Sequence, residues 1–221
     1  MLPTNDRLGG DQVGGLEKLA TAARRAGVVD PRVLDAVRRV PRAAFVPLDE
    51  TRLAYRDEPV RIPHGQVTTQ PSLSARMVEA LRLAGSEHVL EVGTGYGYQT
   101  ALLAQLASFI TSIERWPDLA EMARRHLMAQ EIRNVRVVDG DGTEGVPSGA
   151  PYDAILVSAA FPEVPEPLVS QLRIAGRLVQ PIGPGGAERV TLFERTHDGL
   201  ISLEVVSHAR FVRLYGRHGY E

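Results

Sequence analysis

The hydrophobic residues of the chain follow two patterns, one typical of helices and one typical of buried strands. Before residue 85 they recur at helical spacing, which predicts helices over 16–26, from Pro31 with Asp30 as N-cap, and from Pro71. After residue 85 short apolar runs alternate with helical stretches, which indicates a parallel sheet with crossover helices. The runs are 88–92, 109–114, 135–139, 152–158, 177–181, 190–194 and 201–207.

The last two apolar runs have turn residues and no long helix between them, so the sheet is expected to end in an antiparallel pair. The fold class is therefore α/β. A chain of 221 residues with 43% apolar content is expected to form one domain over 16–221. Residues 16–84 would cover the sheet formed by 85–221, and the glycine-rich segment 1–15 is expected to be flexible.

Composition excludes several functions. Lys and Arg number 25 against 27 Asp and Glu, a net charge of −2 that disfavours a nucleic-acid partner. The absence of cysteine removes disulfides, thiolate metal sites and cysteine nucleophiles, and no histidine pair has metal-ligand spacing, so no metal is expected. No apolar run approaches the ~20 residues of a membrane span, and no secretory signal begins the sequence. We therefore expect a cytoplasmic protein without a membrane partner.

A glycine-rich bend follows the first apolar run of the sheet region. The segment 93–97 reads G-x-G-x-G and precedes a helix, so the backbone can approach a ligand that carries acceptor oxygens. A dinucleotide fingerprint would need its third glycine at position 98, where Tyr98 stands. A strand that ends in an acidic residue, here Glu91, before G-x-G-x-G instead favours S-adenosylmethionine as the ligand.

Acidic residues also end the next two predicted strands. Glu114 is placed to accept hydrogen bonds from both ribose hydroxyls, and Asp141 from an adenine amino group, while Gly142 leaves room for the ring. Each feature alone also occurs in tight turns and helix caps, but three of them at one sheet edge indicate a nucleotide-type site. The predicted cofactor-binding residues are Glu91, Gly93, Thr94, Gly95, Gly97, Glu114, Asp141 and Gly142.

Several segments resemble those of the protein-L-isoaspartate O-methyltransferase family. They read VPRAAFVP at 40–47, AYRDEP at 54–59, GQVTTQP at 65–71, LEVGTGYGYQT at 90–100, GDG at 140–142 and YDAILVSAA at 152–160. The likeness extends over nearly the whole chain from about residue 16. The glycine segment is shared by many methyltransferases, whereas G-Q-x-x-x-Q-P is far more specific to this family.

The resemblance implies a Rossmann-like seven-stranded methyltransferase sheet whose active site is covered by the N-terminal helices and the loop 65–71. It implies methyl transfer from S-adenosylmethionine, with S-adenosylhomocysteine as product, to the free carboxylate of L-isoaspartyl and, more weakly, D-aspartyl residues. The partners would be damaged proteins and peptides, because the methyl ester collapses to a succinimide and so begins repair.

The resemblance also implies the substrate site. Thr69 would be the catalytic residue, with Thr68, Gln70 and Pro71 binding substrate. The family usually reads I-S-Q-P here, so Thr69 keeps the hydroxyl and adds a methyl group. Near the C-terminus the family reads R-F-V-P-L, and here Arg213 stands in place of the proline, on the substrate side of the site.

The chemistry needs little from the protein. A carboxylate with the usual α-carboxyl pKa of about 3.3 to 3.7 is ionised at neutral pH and needs no general base. Orientation and exclusion of water are the main contributions, and a neutral hydroxyl such as that of Thr69 orients the carboxylate without a quenching ion pair. The alternative is that Thr69 caps the helix from Pro71. Gln70 equally fits a cap or a substrate contact.

Two other functions are consistent with the sequence. The first is a carboxyl methyltransferase of the same lineage that acts on a biosynthetic peptide aspartate or a small acid, which the replacements at 69 and 213 would permit. The second is an inactive module that binds the cofactor. The intact glycine segment, Glu114, Asp141 and the hydroxyl at 69 argue against this second function.

Overall fold

The computed structural model describes residues 5–221, with side chains from residue 12 onward. Its N-terminal part is a small cluster in which helices α1, α2 and α3 contact one another and α3 contacts the first helix after the glycine bend. The elements of this part are α1 (Asn5–Arg25), α2 (Pro31–Arg39), β1 (Val60–Arg61), β2 (Val67–Thr68) and α3 (Pro71–Ala80). None of the described helices is both long and apolar enough to cross a bilayer.

Helix α1 is longer than the sequence predicts. It begins at Asn5 instead of Leu16, and so includes part of the segment 1–15 for which flexibility is predicted. Gly15 lies against the ring of Tyr55, since a Cβ there would stand 2.4 Å from Tyr55 Cγ. The glycine allows a close contact within a helix, and glycine content alone therefore misplaces the helix start. Residues 1–4 lie outside the described residues.

The sheet region contains seven strands and three helices in chain order. They are β3 (His88–Val92), α4 (Tyr98–Ala104), β4 (Phe109–Glu114), α5 (Pro117–Ala129), β5 (Val135–Asp139), β6 (Tyr152–Val157), α6 (Glu166–Gln171), β7 (Leu172–Ile182), β8 (Glu188–Thr196) and β9 (Gly199–Ala209). The strand order is β5-β4-β3-β6-β7-β8-β9. The first five strands in this order, β5, β4, β3, β6 and β7, are parallel to one another. Strand β8 runs antiparallel to both of its neighbours, β7 and β9. The predicted mostly parallel α/β sheet with antiparallel C-terminal strands is confirmed.

The centre of this sheet is where a ligand site is expected. Strand β3 pairs with β4 on one side and with β6 on the other, so the chain changes direction across the sheet at β3. Such a switch point opens a crevice at the carboxyl ends of the strands. The strands themselves are covered on both faces, since Leu90, Ile110 and Ile155 are fully buried. The crevice is therefore bounded by a rigid core.

The starts of α2 and α3 test two capping residues that the sequence predicts, Asp30 and Thr69. Asp30 caps α2 by accepting a hydrogen bond from the Arg32 N–H at 2.8 Å, as predicted. At α3, however, Gln70 is in the N-cap position and its side chain makes no capping bond. The Ser72 N–H instead donates to Asp57 Oδ1 at 2.8 Å. The alternative in which Thr69 caps this helix is therefore wrong, because a carboxylate from the preceding loop takes that role.

Candidate active site

One deep cleft lies at the carboxyl ends of β3, β4 and β6. The space between its lining residues, together with the open solvent at its mouth, is about 860 Å³. Residues of the hairpin of β1 and β2 form one part of its wall, and the segment 212–215 forms another part together with Ser158 and Ala159. The two predicted halves of the site, for cofactor and for substrate, therefore share one cavity.

The glycine bend forms the floor of the cleft. Gly93, Gly95 and Gly97 have φ values of 94°, 54° and 92°, which residues with side chains rarely adopt. Gly93, Thr94 and Gly95 line the cleft. Gly97 does not: it begins α4 and packs toward Leu127 of α5, so its predicted cofactor contact is replaced by close packing between helices.

Glu114 lies in the cleft at the end of β4 and is almost completely buried. Its Oε2 accepts from the Gly95 N–H at 2.9 Å, and its Oε1 accepts from the Trp116 N–H at 3.1 Å. Burial raises the pKa of Glu114, and these backbone hydrogen bonds oppose that shift. A carboxylate oxygen accepts up to two bonds, so each oxygen retains one lone pair for a ligand hydroxyl.

Glu91 lies beneath the glycine bend and does not line the cleft. Its side chain is fully buried, and its Oε2 accepts from Thr100 Oγ1 at 2.5 Å and from Ser112 Oγ at 2.7 Å. Burial raises the pKa of Glu91 to about 7. The structure thus gives Glu91 a part in joining β3, β4 and α4 below the site, instead of the cofactor contact that its position in the sequence predicts.

This burial predicts an unusual pH dependence of stability. In the unfolded chain Glu91 loses its proton near pH 4.5, whereas in the folded chain it keeps the proton up to about pH 7. Ionisation of Glu91 therefore lowers the free energy of unfolding as the pH rises through this window. Glu91→Gln carries no charge at any pH. From about pH 5.5 to about pH 7.5, the free energy of unfolding of the native chain should fall by about 2 kcal/mol relative to the variant. Urea unfolding of both proteins measures this, and parallel pH profiles would contradict it.

Asp141 and Gly142 follow β5, and Gly142 lines the cleft whereas Asp141 lies beside it. A Cβ at Gly142 would stand 2.4 Å from Val92 Cγ1, so only glycine fits. The Asp141 carboxylate accepts from the Thr143 N–H at 2.8 Å and from the Arg217 N–H at 2.7 Å. These bonds, with one from Thr143 Oγ1, lower the pKa of Asp141 against the opposing effect of burial, and they leave one lone pair on Oδ2. Asp141 therefore anchors the C-terminal segment beside the cleft.

Thr68 and Thr69 both line the cleft, but their hydroxyls have different surroundings. Thr68 Oγ1 accepts from the Arg42 guanidinium at 3.0 Å and from the Val60 N–H at 3.2 Å. Arg42 is fully buried and also donates to three backbone carbonyls of the loop 54–58. The Thr69 hydroxyl forms no hydrogen bond within the described part of the chain. Thr68 thus holds the loop in place, and Thr69 is available to a ligand.

Gln70 and Pro71, predicted to bind substrate, are not brought into the cleft. The Gln70 amide donates to Asp57 Oδ2 at 2.9 Å, so it supports the start of α3 together with Ser72. Pro71 is buried as the first residue of that helix. The specific motif therefore fixes the path of the loop that presents Thr69, instead of supplying further contacts.

Sequence reasoning missed several polar groups in the cleft. Ser74 Oγ, Tyr98 Oη, Gln99 Oε1 and Trp116 Nε1 are buried without a hydrogen-bond partner among the described residues, and all four side chains belong to residues that line the cleft. Buried polar atoms normally have partners, so the wall of the cleft contains four hydrogen-bonding groups that the described part of the chain leaves unsatisfied. Ser74 had a signal in the sequence, because it is a small polar residue on an otherwise buried helix face.

The hairpin over the cleft is attached to the start of α5. The rings of His64 and Trp116 stack nearly in parallel, with centroids 4.0 Å apart. His64 Nε2 lies 2.8 Å from Asp118 Oδ2, and this hydrogen bond lowers the pKa of Asp118. His64 thus holds the hairpin that covers the cleft against the start of α5.

The site as a whole matches an adenosyl ligand. Its buried carboxylate with free lone pairs, its glycine floor and its unpartnered polar atoms are arranged at the switch point of a seven-stranded sheet. No group of three His, Asp or Glu side chains within residues 12–221 is arranged to hold a metal ion. This fold and site define a class I S-adenosylmethionine-dependent methyltransferase.

Comparison with known proteins identifies the family. The model of the protein-L-isoaspartate(D-aspartate) O-methyltransferase family matches residues 16–219, and the chain belongs to this family. A protein-L-isoaspartate O-methyltransferase of Methanoculleus marisnigri is 46% identical over 199 residues, covering 90% of each chain. One of Rhodopseudomonas palustris is 49% identical over 195 residues, covering 88% of this chain and 80% of that protein.

Solved structures agree with this assignment. A protein-L-isoaspartate O-methyltransferase has a TM-score of 0.80 and 30% identity, covering 92% of this chain and 67% of that one. A structure from Plasmodium falciparum, described as a putative enzyme of this kind in complex with S-adenosyl-L-homocysteine, has a TM-score of 0.75 and covers 90% of this chain and 97% of its own. At 23% identity the second structure supports the fold alone.

Proposed function

We propose that this protein transfers a methyl group from S-adenosylmethionine to the free carboxylate of L-isoaspartyl residues in damaged proteins. The observation that carries the proposal is that one cleft contains both the ribose-type carboxylate Glu114 and the free hydroxyl of Thr69. The methyl ester of an isoaspartyl residue closes to a succinimide, which hydrolyses in part to a normal aspartyl residue. Action on D-aspartyl residues, predicted as the weaker activity, is part of the same proposal.

The cofactor half of the cleft is assigned from the groups that can still form hydrogen bonds with a ligand or leave space for one. When bound, S-adenosylmethionine supplies an electrophilic methyl group on a sulfonium. Glu114 would accept from the ribose hydroxyls, Gly142 would leave space beside the adenine, and Asp141 has one lone pair for its amino group. The backbone at Gly93, Thr94 and Gly95 would approach the amino-acid part of the ligand, as glycine bends before helices do in related folds.

The substrate half is assigned to Thr69. An isoaspartyl α-carboxylate is ionised at neutral pH, so no side chain has to remove a proton. The Thr69 hydroxyl would donate to one carboxylate oxygen and leave the other directed at the methyl group, and a neutral donor preserves the nucleophilicity of that oxygen. The hairpin and the segment 212–215 would exclude water from the reacting atoms.

Matched peptides test the function. We expect an isoaspartyl peptide to be methylated at least tenfold faster, in kcat/KM, than the same sequence with aspartate, which corresponds to about 1.4 kcal/mol of transition-state discrimination. A D-aspartyl peptide should fall between them. Transfer of labelled methyl groups measures all three rates. Glu114→Ala is the control, because methylation that takes place in the cleft should fall in this variant.

Equal rates on the isoaspartyl and aspartyl peptides would contradict the repair function. Methylation of a small carboxylic acid with no methylation of any peptide would instead favour another carboxyl methyltransferase. The cytoplasmic location predicted from the sequence stays a prediction, which fractionation of cells that express the chain would test.

A further inference from the structure

Arg213 lies in the wall of the cleft on the segment that follows the sheet. Ala160 N–H donates to the Val212 carbonyl and Leu214 N–H to the Ala160 carbonyl, both at 2.8 Å. These bonds fix residues 212–214 alongside the extension of β6. Arg213, whose side chain is exposed, is thereby held at the rim of the same cleft that contains Thr69.

The Arg213 guanidinium lies against the Tyr220 ring and near Gly185. Its central carbon is 4.8 Å from the centroid of the Tyr220 ring, a cation–π arrangement. The Tyr220 hydroxyl donates to the Pro184 carbonyl at 3.0 Å, which fixes the ring. On another side lies Gly185, where a Cβ would stand 3.7 Å from Arg213 Nε. An arginine positioned in this way loses little further freedom when it binds a ligand.

The charge of Arg213 is not balanced within the cleft. Neither Arg213 nor the other arginine that lines the cleft, Arg115, forms a salt bridge among residues 12–221, and Arg213 makes no side-chain hydrogen bond there. Glu114 is the acidic residue that lines the cleft, and it is buried at the end of β4 with both oxygens engaged by backbone N–H groups. The rim therefore presents a positive charge with free donors.

We infer that Arg213 makes this enzyme select isoaspartyl sites that have an acidic side chain next to them, an inference that rests on the proposed function. The reacting carboxylate is expected at Thr69, and an ion pair there would reduce its nucleophilicity. A charge at the rim is better suited to a neighbouring Glu or Asp of the damaged protein. A planar guanidinium binds such a carboxylate through two parallel hydrogen bonds.

The test compares isoaspartyl peptides that differ in one flanking residue. Glu, Gln or Lys is placed directly before or directly after the isoaspartyl residue, and kcat/KM is measured for each peptide. Attraction of Glu and repulsion of Lys add, so we expect the Glu peptide to exceed the Lys peptide by about fivefold to tenfold at one of the two positions. The ratio should shrink toward one in high salt, because a partly exposed pair is screened.

Variants connect this ratio to the residue. Arg213→Gln should reduce the Glu-to-Lys ratio to about one, and Arg213→Lys should retain part of it because the charge remains without the planar fork. Arg133→Gln is the matched control, since it removes an exposed arginine that lies before β5 and does not line the cleft. This variant should leave the Glu-to-Lys ratio unchanged. Melting temperature and S-adenosylhomocysteine binding establish that each variant is folded.

Two results would overturn the inference. One is a ratio of about one at both positions in the unmodified enzyme, and the other is a ratio that persists in folded Arg213→Gln. Methylation of the Gln peptide with either result shows that the proposed function holds while the selection by Arg213 does not. No methylation of any isoaspartyl peptide would contradict the proposed function itself, and this inference with it.

Discussion

Replacing Thr69 with valine should lower kcat/KM for an isoaspartyl peptide by roughly 10 to 100-fold, the kinetic equivalent of one hydrogen bond to a charged group. Valine keeps the shape of the side chain and removes the donor that the structure leaves available in the cleft. Thr69→Ser should keep or raise the activity, because the hydroxyl remains and the extra methyl group is removed. Steady-state kinetics on one peptide measures all three proteins.

The adjacent threonine supplies the control. Thr68→Val removes the acceptor of the Arg42 guanidinium and of the Val60 N–H, so it should destabilise the fold by about 1 to 3 kcal/mol. Thr69→Val should leave the melting temperature nearly unchanged, because Asp57 and not Thr69 satisfies the start of α3. A Thr69→Val protein that is destabilised but fully active per folded molecule would remove Thr69 from the reaction.

Glu114→Ala should weaken the binding of S-adenosylhomocysteine by at least tenfold and up to about a hundredfold. The ribose hydroxyls would lose their charged acceptor, and the loss of a single hydrogen bond to a charged group, about 1.5 to 3 kcal/mol, already corresponds to roughly 10 to 150-fold. The variant also frees the backbone N–H groups of Gly95 and Trp116, which should loosen the floor of the cleft. Calorimetric titration measures the affinity directly.

Asp139 at the end of β5 is the matched control for Glu114. The two residues are direct partners across the parallel strands, yet the Asp139 carboxylate pairs with Arg124 and does not line the cleft. Asp139→Ala should therefore leave the affinity for S-adenosylhomocysteine within about twofold of the native value. Equal weakening by both substitutions would point to general disturbance of this sheet edge, and unchanged affinity in folded Glu114→Ala would exclude the ribose role.

The sheet could be predicted from the sequence because parallel strands buried on both faces are short continuous apolar runs. The predicted runs at 88–92 and 109–114 match the buried strands β3 and β4 in both bounds, and the run at 135–139 matches the edge strand β5, whose residues are partly buried or exposed. The end of α1 could also be predicted from the sequence. The helix ends at Arg25, and Gly27, two residues later, has a φ of 105° that favours glycine after a helix. The start of α1 could not be predicted, because Gly15 serves a close contact with Tyr55, which lies far away in the sequence.

The site was predictable at the strand ends and less so between them. A parallel sheet brings the carboxyl ends of neighbouring strands together, so Glu114 and Gly142 were expected at one edge and lie there. The spacing of the motif does not say to which side of β3 the Glu91 side chain points, and in the structure it lies below the glycine bend. The loop around Thr69 depends on the buried guanidinium of Arg42, a contact across 26 residues that no local pattern reveals.

The segment 212–215, which closes the cleft, follows all seven strands in the sequence. Ribosomal synthesis delivers the N-terminal parts of a chain first, so the whole sheet can be assembled before this wall exists. The bond between the Arg217 N–H and Asp141 spans 76 residues and joins the last segment to a strand end made much earlier. The wall that is proposed to exclude water from the reacting atoms should therefore arise late in biogenesis, and a nascent chain with a complete sheet but an undocked segment would be structured while its reaction site stays open to water.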